Sequence, residues 1–208
     1  TGGCNVSVGS NSLKCNVGGS TNTAVGFEAL KANTTAGDNT AVGKNALLVN
    51  TTGTLNNSVG SGSLMANTTG SNNVAMGNDA LRFNITGVCN VAVGMNALKD
   101  NTADDIVGIG AEALANNTSG CRNVAVGRLG LFTNTTGCFN TALGQASLYS
   151  NTTANNSVAV GYVSLFSNTG ANNTAVGTFS LTSNTTASNN TAVGFESLQA
   201  NTTGNANV

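Results

Sequence analysis

Five cysteines, a recurrent Asn-x-Thr/Ser sequon, a short aromatic column and a small acidic cluster are the residues whose types and spacing could do chemistry in this chain. The sequon Asn recurs as Asn33, Asn50, Asn67, Asn84, Asn117, Asn134, Asn151, Asn184 and Asn201. No Pro blocks any of these sequons, so each is a candidate for N-linked sugar on an exposed turn. The alternative is an Asn that the backbone requires. Asn16, Asn101 and Asn168 stand at the same place although Gly18, Ala103 and Gly170 break their sequons. That points to a structural duty whether or not sugar is added.

Cys121 and Cys138 are one repeat apart and share a column. Stacked strands about 4.8 Å apart would put their Cα atoms within the usual disulfide window of about 4.4–6.8 Å. We expect a bridge there and a second candidate pair, Cys4 with Cys15. Cys89 is left as a free or intermolecular thiol. Phe132, Tyr149 and Phe166 follow the same Leu in three consecutive repeats. They read as a stacked ladder or as a surface contact stripe. Asp100, Asp104, Asp105 and Glu112 gather around one turn. Oxygen ligands of that kind can hold calcium, but no known loop spacing is present, and a solvated turn with Asp105 facing Arg122 is the alternative. We expect no metal site and no cofactor. The chain has no His, hence no Ser-His or Cys-His pair, and no Gly-rich loop is followed by a phosphate-binding Lys. A non-enzymatic role is the expectation.

All these residues ride on one repeated unit. Gly9, Gly26, Gly43, Gly60, Gly77, Gly94, Gly110, Gly127, Gly144, Gly161, Gly177 and Gly194 recur every 17 residues, or 16 at two places. A Leu lies four residues after each Gly, and an Asn three residues after each Leu. The consensus is Asn-Thr-Ala-Val-Gly-x-x-Ala-Leu-x-x-Asn-Thr-Thr-Gly-x-x, seen well from Asn39 to Leu55. A short fixed period across the whole chain predicts a solenoid whose copies fold by stacking. Helical arrays need longer units, so the expected fold is all-β: a β-solenoid of about twelve 17-residue coils forming one domain over 1–208. Thr-Ala-Val reads as a strand, and the stretch from Gly to Leu as a second strand or one helical turn. The fourth position (Val25, Val42, Val59 and their equivalents) and the ninth, Leu, read as the core. Both single-residue deletions fall in the Asn-Thr-Thr-Gly turn, which reads as surface.

This unit resembles repeats of phage tail-fibre-like and bacterial surface proteins. More distantly, Ala-Val-Gly-x-x-Ala is similar to the head repeats of trimeric autotransporter adhesins, which are trimeric β-rolls. The resemblance implies a scaffold or shaft displayed outside the cell or on a virion.

Only 7% of residues are charged and the net charge is −1, which gives no electrostatic footprint for nucleic acid. No apolar run approaches membrane-spanning length. The chain begins and ends inside a repeat, so a mature product or a piece of a longer chain is expected. The functional expectation is a structural, fibre-forming extracellular protein, self-associating end to end or laterally, with glycans on its turns. An adhesin or phage fibre shaft presenting a tip is the alternative. An ice-binding solenoid is the remote one, because adjacent Thr residues point to opposite faces of a strand.

Overall fold

The computed structural model describes residues 2–208. They divide into two compact units, one running to Asp104 and one from Asp105 to Val208. The first contains β1 (Val6–Val8), β2 (Thr23–Val25), β3 (Thr40–Val42), β4 (Asn57–Val59), β5 (Val74–Met76) and β6 (Val91–Val93). The second contains β7 (Val107–Ile109), β8 (Val124–Val126), β9 (Thr141–Leu143), β10 (Val158–Val160), β11 (Thr174–Val176) and β12 (Thr191–Val193). Within each unit consecutive strands pair in parallel, so each unit is a β-solenoid. Register follows the repeat: Ala24 lies beside Ala41, and Ala41 beside Ser58. No helix occurs among the described residues, and the stretch from Gly to Leu is a chain of turns rather than a strand or a helical turn.

Those turns rest on left-handed backbone. Every repeat Leu, from Leu13 to Leu198, has φ between 48° and 52°. For a non-Gly residue this conformation costs roughly 1–2 kcal/mol. Burial offsets it, since a fully buried Leu contributes roughly 1.5–3 kcal/mol. Leu30, Leu47, Leu64 and Leu81 have no exposed surface. The Leu N–H also donates to the next coil, as from Leu30 N to Ala46 O at 3.0 Å.

Two glycine columns show which backbone demand is absolute. Gly43 has φ 138°, and a Cβ there would lie 2.4 Å from Gly60 O. Only Gly is found at that position in any repeat. At Gly53 a Cβ would also approach a carbonyl, Gly70 O, at 2.3 Å, but φ is not positive. There Ala replaces Gly at positions such as Ala36, Ala154 and Ala187. Crowding can relax by a small shift of the stack, whereas a positive φ of this size is open to Gly alone.

The core differs from the expected one. A three-residue strand turns only its middle residue inward. That residue is Ala24, Ala41 or Ala75, each fully buried. The fourth-position residues were expected inside and instead face out: Met76 is 47% exposed and Leu143 38%. The apolar core of a coil is therefore one Leu and two small residues, such as Ala41, Ala46 and Leu47. Where Ser enters the strand position it meets a second Ser, as Ser58 Oγ does Ser63 Oγ at 2.5 Å. Paired hydroxyls satisfy each other where a single one would be orphaned.

Candidate functional site

The remaining half of the coil interior is filled with amides. The turn Asn and the Asn that opens the repeat both point inward and converge on one carbonyl. Gly53 O accepts from Asn39 Nδ2 and Asn50 Nδ2, each at 2.9 Å. Gly70 O accepts from Asn56 Nδ2 at 2.8 Å and Asn67 Nδ2 at 3.0 Å. In the full-length turns the Asn uses its second N–H on the Asn one coil earlier: Asn67 Nδ2 to Asn50 Oδ1 is 2.8 Å, and Asn134 Nδ2 to Asn117 Oδ1 is 2.7 Å. The opening Asn column carries a parallel ladder in which a backbone N–H bonds the preceding amide oxygen, as Asn39 N does Asn22 Oδ1 at 3.0 Å.

This corrects the expectation that the turn Asn is exposed for sugar. Asn33, Asn50, Asn67, Asn84, Asn117, Asn134, Asn151 and Asn184 have no exposed surface. An N-glycan replaces one Nδ2 hydrogen and needs a path to solvent, and the buried amides offer none. Asn201 is half-buried, and its Nδ2 is also committed to Asn184 Oδ1 at 2.9 Å and Gly204 O at 3.0 Å. The Asn at unbroken and broken sequons does the same work: Asn101 Nδ2 reaches Ala103 O at 2.9 Å and Asn168 Nδ2 reaches Gly170 O at 2.7 Å. In these shortened turns the clip spans one residue less. Each deletion leaves its mark on the preceding rung, because Asn84 Oδ1 and Asn151 Oδ1 are buried without a hydrogen-bond partner.

The strands of each unit present one face outward. Their first and third residues point outward, giving Thr40 with Val42, Val74 with Met76 and Val124 with Val126. No charged residue occurs at these two positions in any of the twelve strands, although the chain has fifteen charged residues (7 + 8). The Thr after the turn Asn is not a free hydroxyl rank: Thr51 Oγ1 donates to Thr68 O and Thr135 Oγ1 to Thr152 O, both at 3.1 Å.

The aromatic column is a face-to-face stack. Phe132 and Tyr149 centroids lie 5.4 Å apart at 16°, and Tyr149 and Phe166 4.9 Å apart at 10°. The rings cover each other's faces and are half-buried. A second group, Tyr162, Phe179 and Phe195, meets edge to face. Arg122 lies over the Phe139 ring at 5.6 Å, one repeat on, and forms no salt bridge with Asp105. Asp104 accepts from Val88 N at 2.8 Å. Among the described residues no group of three His, Cys, Asp or Glu side chains could hold a metal ion.

All five cysteines are thiols in the structure. Cys121 Sγ and Cys138 Sγ are 2.6 Å apart. Cys4 and Cys15, the second expected pair, are both exposed free thiols, and so is Cys89. Cys121 and Cys138 also belong to a series that went unread in the sequence. A short polar side chain in this column accepts the backbone N–H of the coil before: Ser71 Oγ from Thr54 N at 3.0 Å, Asn155 Oδ1 from Cys138 N at 2.6 Å, and Ser188 Oγ from Ala171 N at 3.1 Å. The recurrence of Ser, Asp and Asn after the turn Gly or Ala was its only signal.

No family model matches the chain, and neither a curated protein nor a solved structure matches it.

Proposed function

We propose that this chain is a structural, fibre-forming repeat protein, displayed outside the cell or on a virion, that associates side by side with further copies of itself. One observation carries the reading: the outward strand face is free of charge in every strand, and its third residue is a large apolar one each time. Surface strands normally carry charges that block unwanted association. Here every Asp, Glu, Lys and Arg lies in a turn instead. The occupant that fits is a second copy, because its outward face repeats at the same rise and offers matching rows. Val59, Val126 and Val176 each retain about a third of their surface, 36–37%. Covering two such side chains contributes roughly 1 kcal/mol per coil. Summed over many coils this competes with the 4–15 kcal/mol that association costs, so a long stack of weak coils is the form that benefits. A glycan coat forms no part of this reading, since the sequon amides are interior.

Sedimentation velocity of the full chain tests it. Self-association is expected for the native chain, and Val42→Lys with Val126→Lys, one in each unit, should return it to monomer with an unchanged circular dichroism spectrum. A native chain that stays monomeric across the accessible concentration range sinks the proposal. The adhesin or phage shaft alternative uses the same face and rests on the sequence resemblance. Negative-stain images separate the two: indefinite filaments favour a fibre protein, and rods of fixed length favour a shaft.

A further inference from the structure

We propose that Cys121 and Cys138 form a redox-closed clip between two successive coils, made by thiol–disulfide exchange with a small aliphatic disulfide. The placement comes from the fold. Both residues stand immediately after the turn Gly, in the column where a side chain caps the N–H of the preceding coil. In-register stacking at about 4.8 Å suits a bridge whose Cα atoms span about 4.4–6.8 Å. The sulfurs are already 2.6 Å apart, and a bond closes them to about 2.05 Å. Both are half-buried, so a small reagent can reach them.

The two sulfurs are not equivalent. Cys121 N–H donates to Cys138 Sγ at 2.9 Å, and the Cys121 thiol donates to it as well. Both donors therefore point at Cys138 Sγ. The hydrogen bond with Cys138 is also the first cause that pushes the Cys121 thiol above its ordinary pKa, with burial second. Cys138 is the attacking sulfur and Cys121 the resolving one. In the first step the Cys138 thiolate attacks one sulfur of the reagent, forming a mixed disulfide and releasing one thiolate. In the second, Cys121 gives up its proton to solvent and attacks Cys138 Sγ, forming the bridge and releasing the second thiolate. Two protein thiols are oxidised, and one small disulfide is reduced to two thiols. The closed loop ties one coil to the next and removes freedom from the unfolded chain.

The test is to treat the full chain with glutathione disulfide, alkylate it, and digest it with trypsin without reduction. Trypsin cuts after Arg122 and Arg128, between the two cysteines, so a bridge joins two peptides. The expected product is that joined pair, lighter by two hydrogens, with a thermal midpoint raised by a few degrees and restored by reductant. Exposed Cys89 serves as a control that stops at the glutathione adduct. Alkylation of both Cys121 and Cys138, or a persistent adduct on either, overturns the clip. Two variants test the order of attack, and Ser is native to this column at Ser71 and Ser188. Cys121→Ser should trap the adduct on Cys138 quickly, whereas Cys138→Ser should modify Cys121 slowly. Equal rates overturn the assignment of the attacking sulfur.

Discussion

The turn Asn column and the strand Val column occupy places opposite to those their chemistry suggests. Hydropathy sends Val42, Val59 and Met76 inward and Asn50 and Asn67 outward. In the structure Asn50 and Asn67 are fully buried, while Val59 and Met76 are 36% and 47% exposed. The difference teaches that a narrow coil chooses its interior by bonding capacity as well as by apolarity. Each coil must satisfy an inward-facing carbonyl such as Gly53 O, and a primary amide can bond that carbonyl and the neighbouring amide together. Val can do neither. Its methyls serve on the outside, where another surface can cover them.

The largest expected effect concerns the residue that truly holds the apolar half of the core. Leu64→Ala should cost roughly 3–5 kcal/mol in chemical denaturation. Leu64→Ile, of equal volume, should cost well above the usual penalty of such swaps, because a β-branched residue resists the positive φ at this site. A cost like that of Val59→Ala would break the inside-outside assignment.

Next comes the amide column. Asn67→Ala removes the donor to Asn50 Oδ1 and the acceptor for Asn84 Nδ2. Buried groups left unsatisfied cost roughly 1–3 kcal/mol each. A loss under about 0.5 kcal/mol, the range of ordinary surface changes, would return this Asn to the surface. A third measurement goes the other way. Inserting one Thr after Thr169 restores the full-length turn and should re-pair Asn151 Oδ1, stabilising the protein by about 1 kcal/mol. Destabilisation would show that the shortened turn, not the ladder, is what the coil needs.

The smallest effect on stability belongs to the outward column. Val59→Thr should stay within about 0.5 kcal/mol in the monomer, yet weaken self-association measured by sedimentation. One pH measurement distinguishes the paired sulfurs from the exposed ones. The Cys121 thiol is raised by its bond to Cys138 and by burial, so its thiolate forms only at higher pH. Its alkylation should therefore lag that of Cys89 in mildly alkaline buffer, and equal pH profiles would contradict that environment.

Much of the fold was legible. The 17-residue period announces stacked coils, invariant Gly marks the positive-φ corner, and invariant Leu marks the core. The persistence of Asn16, Asn101 and Asn168 at broken sequons identified a structural Asn. Which way that Asn points was not legible, because an Asn demanded by a turn and an Asn demanded by a ladder have the same period. The left-handed Leu left no trace either, since Leu is not a residue whose presence signals positive φ. The capping column was hidden because Ser, Asp, Asn and Cys share a role there without sharing a class.

By itself the sequence determined the period, the stacking of like on like, the Leu of the core and the recurrent Gly, because these follow from local geometry repeated at fixed spacing. The tertiary structure alone decided which side of the backbone faces in. A three-residue strand admits a single inward side chain, and the inner carbonyls need donors from residues that only stacking brings near. That requirement placed the amides inside and left the valines on the outward face.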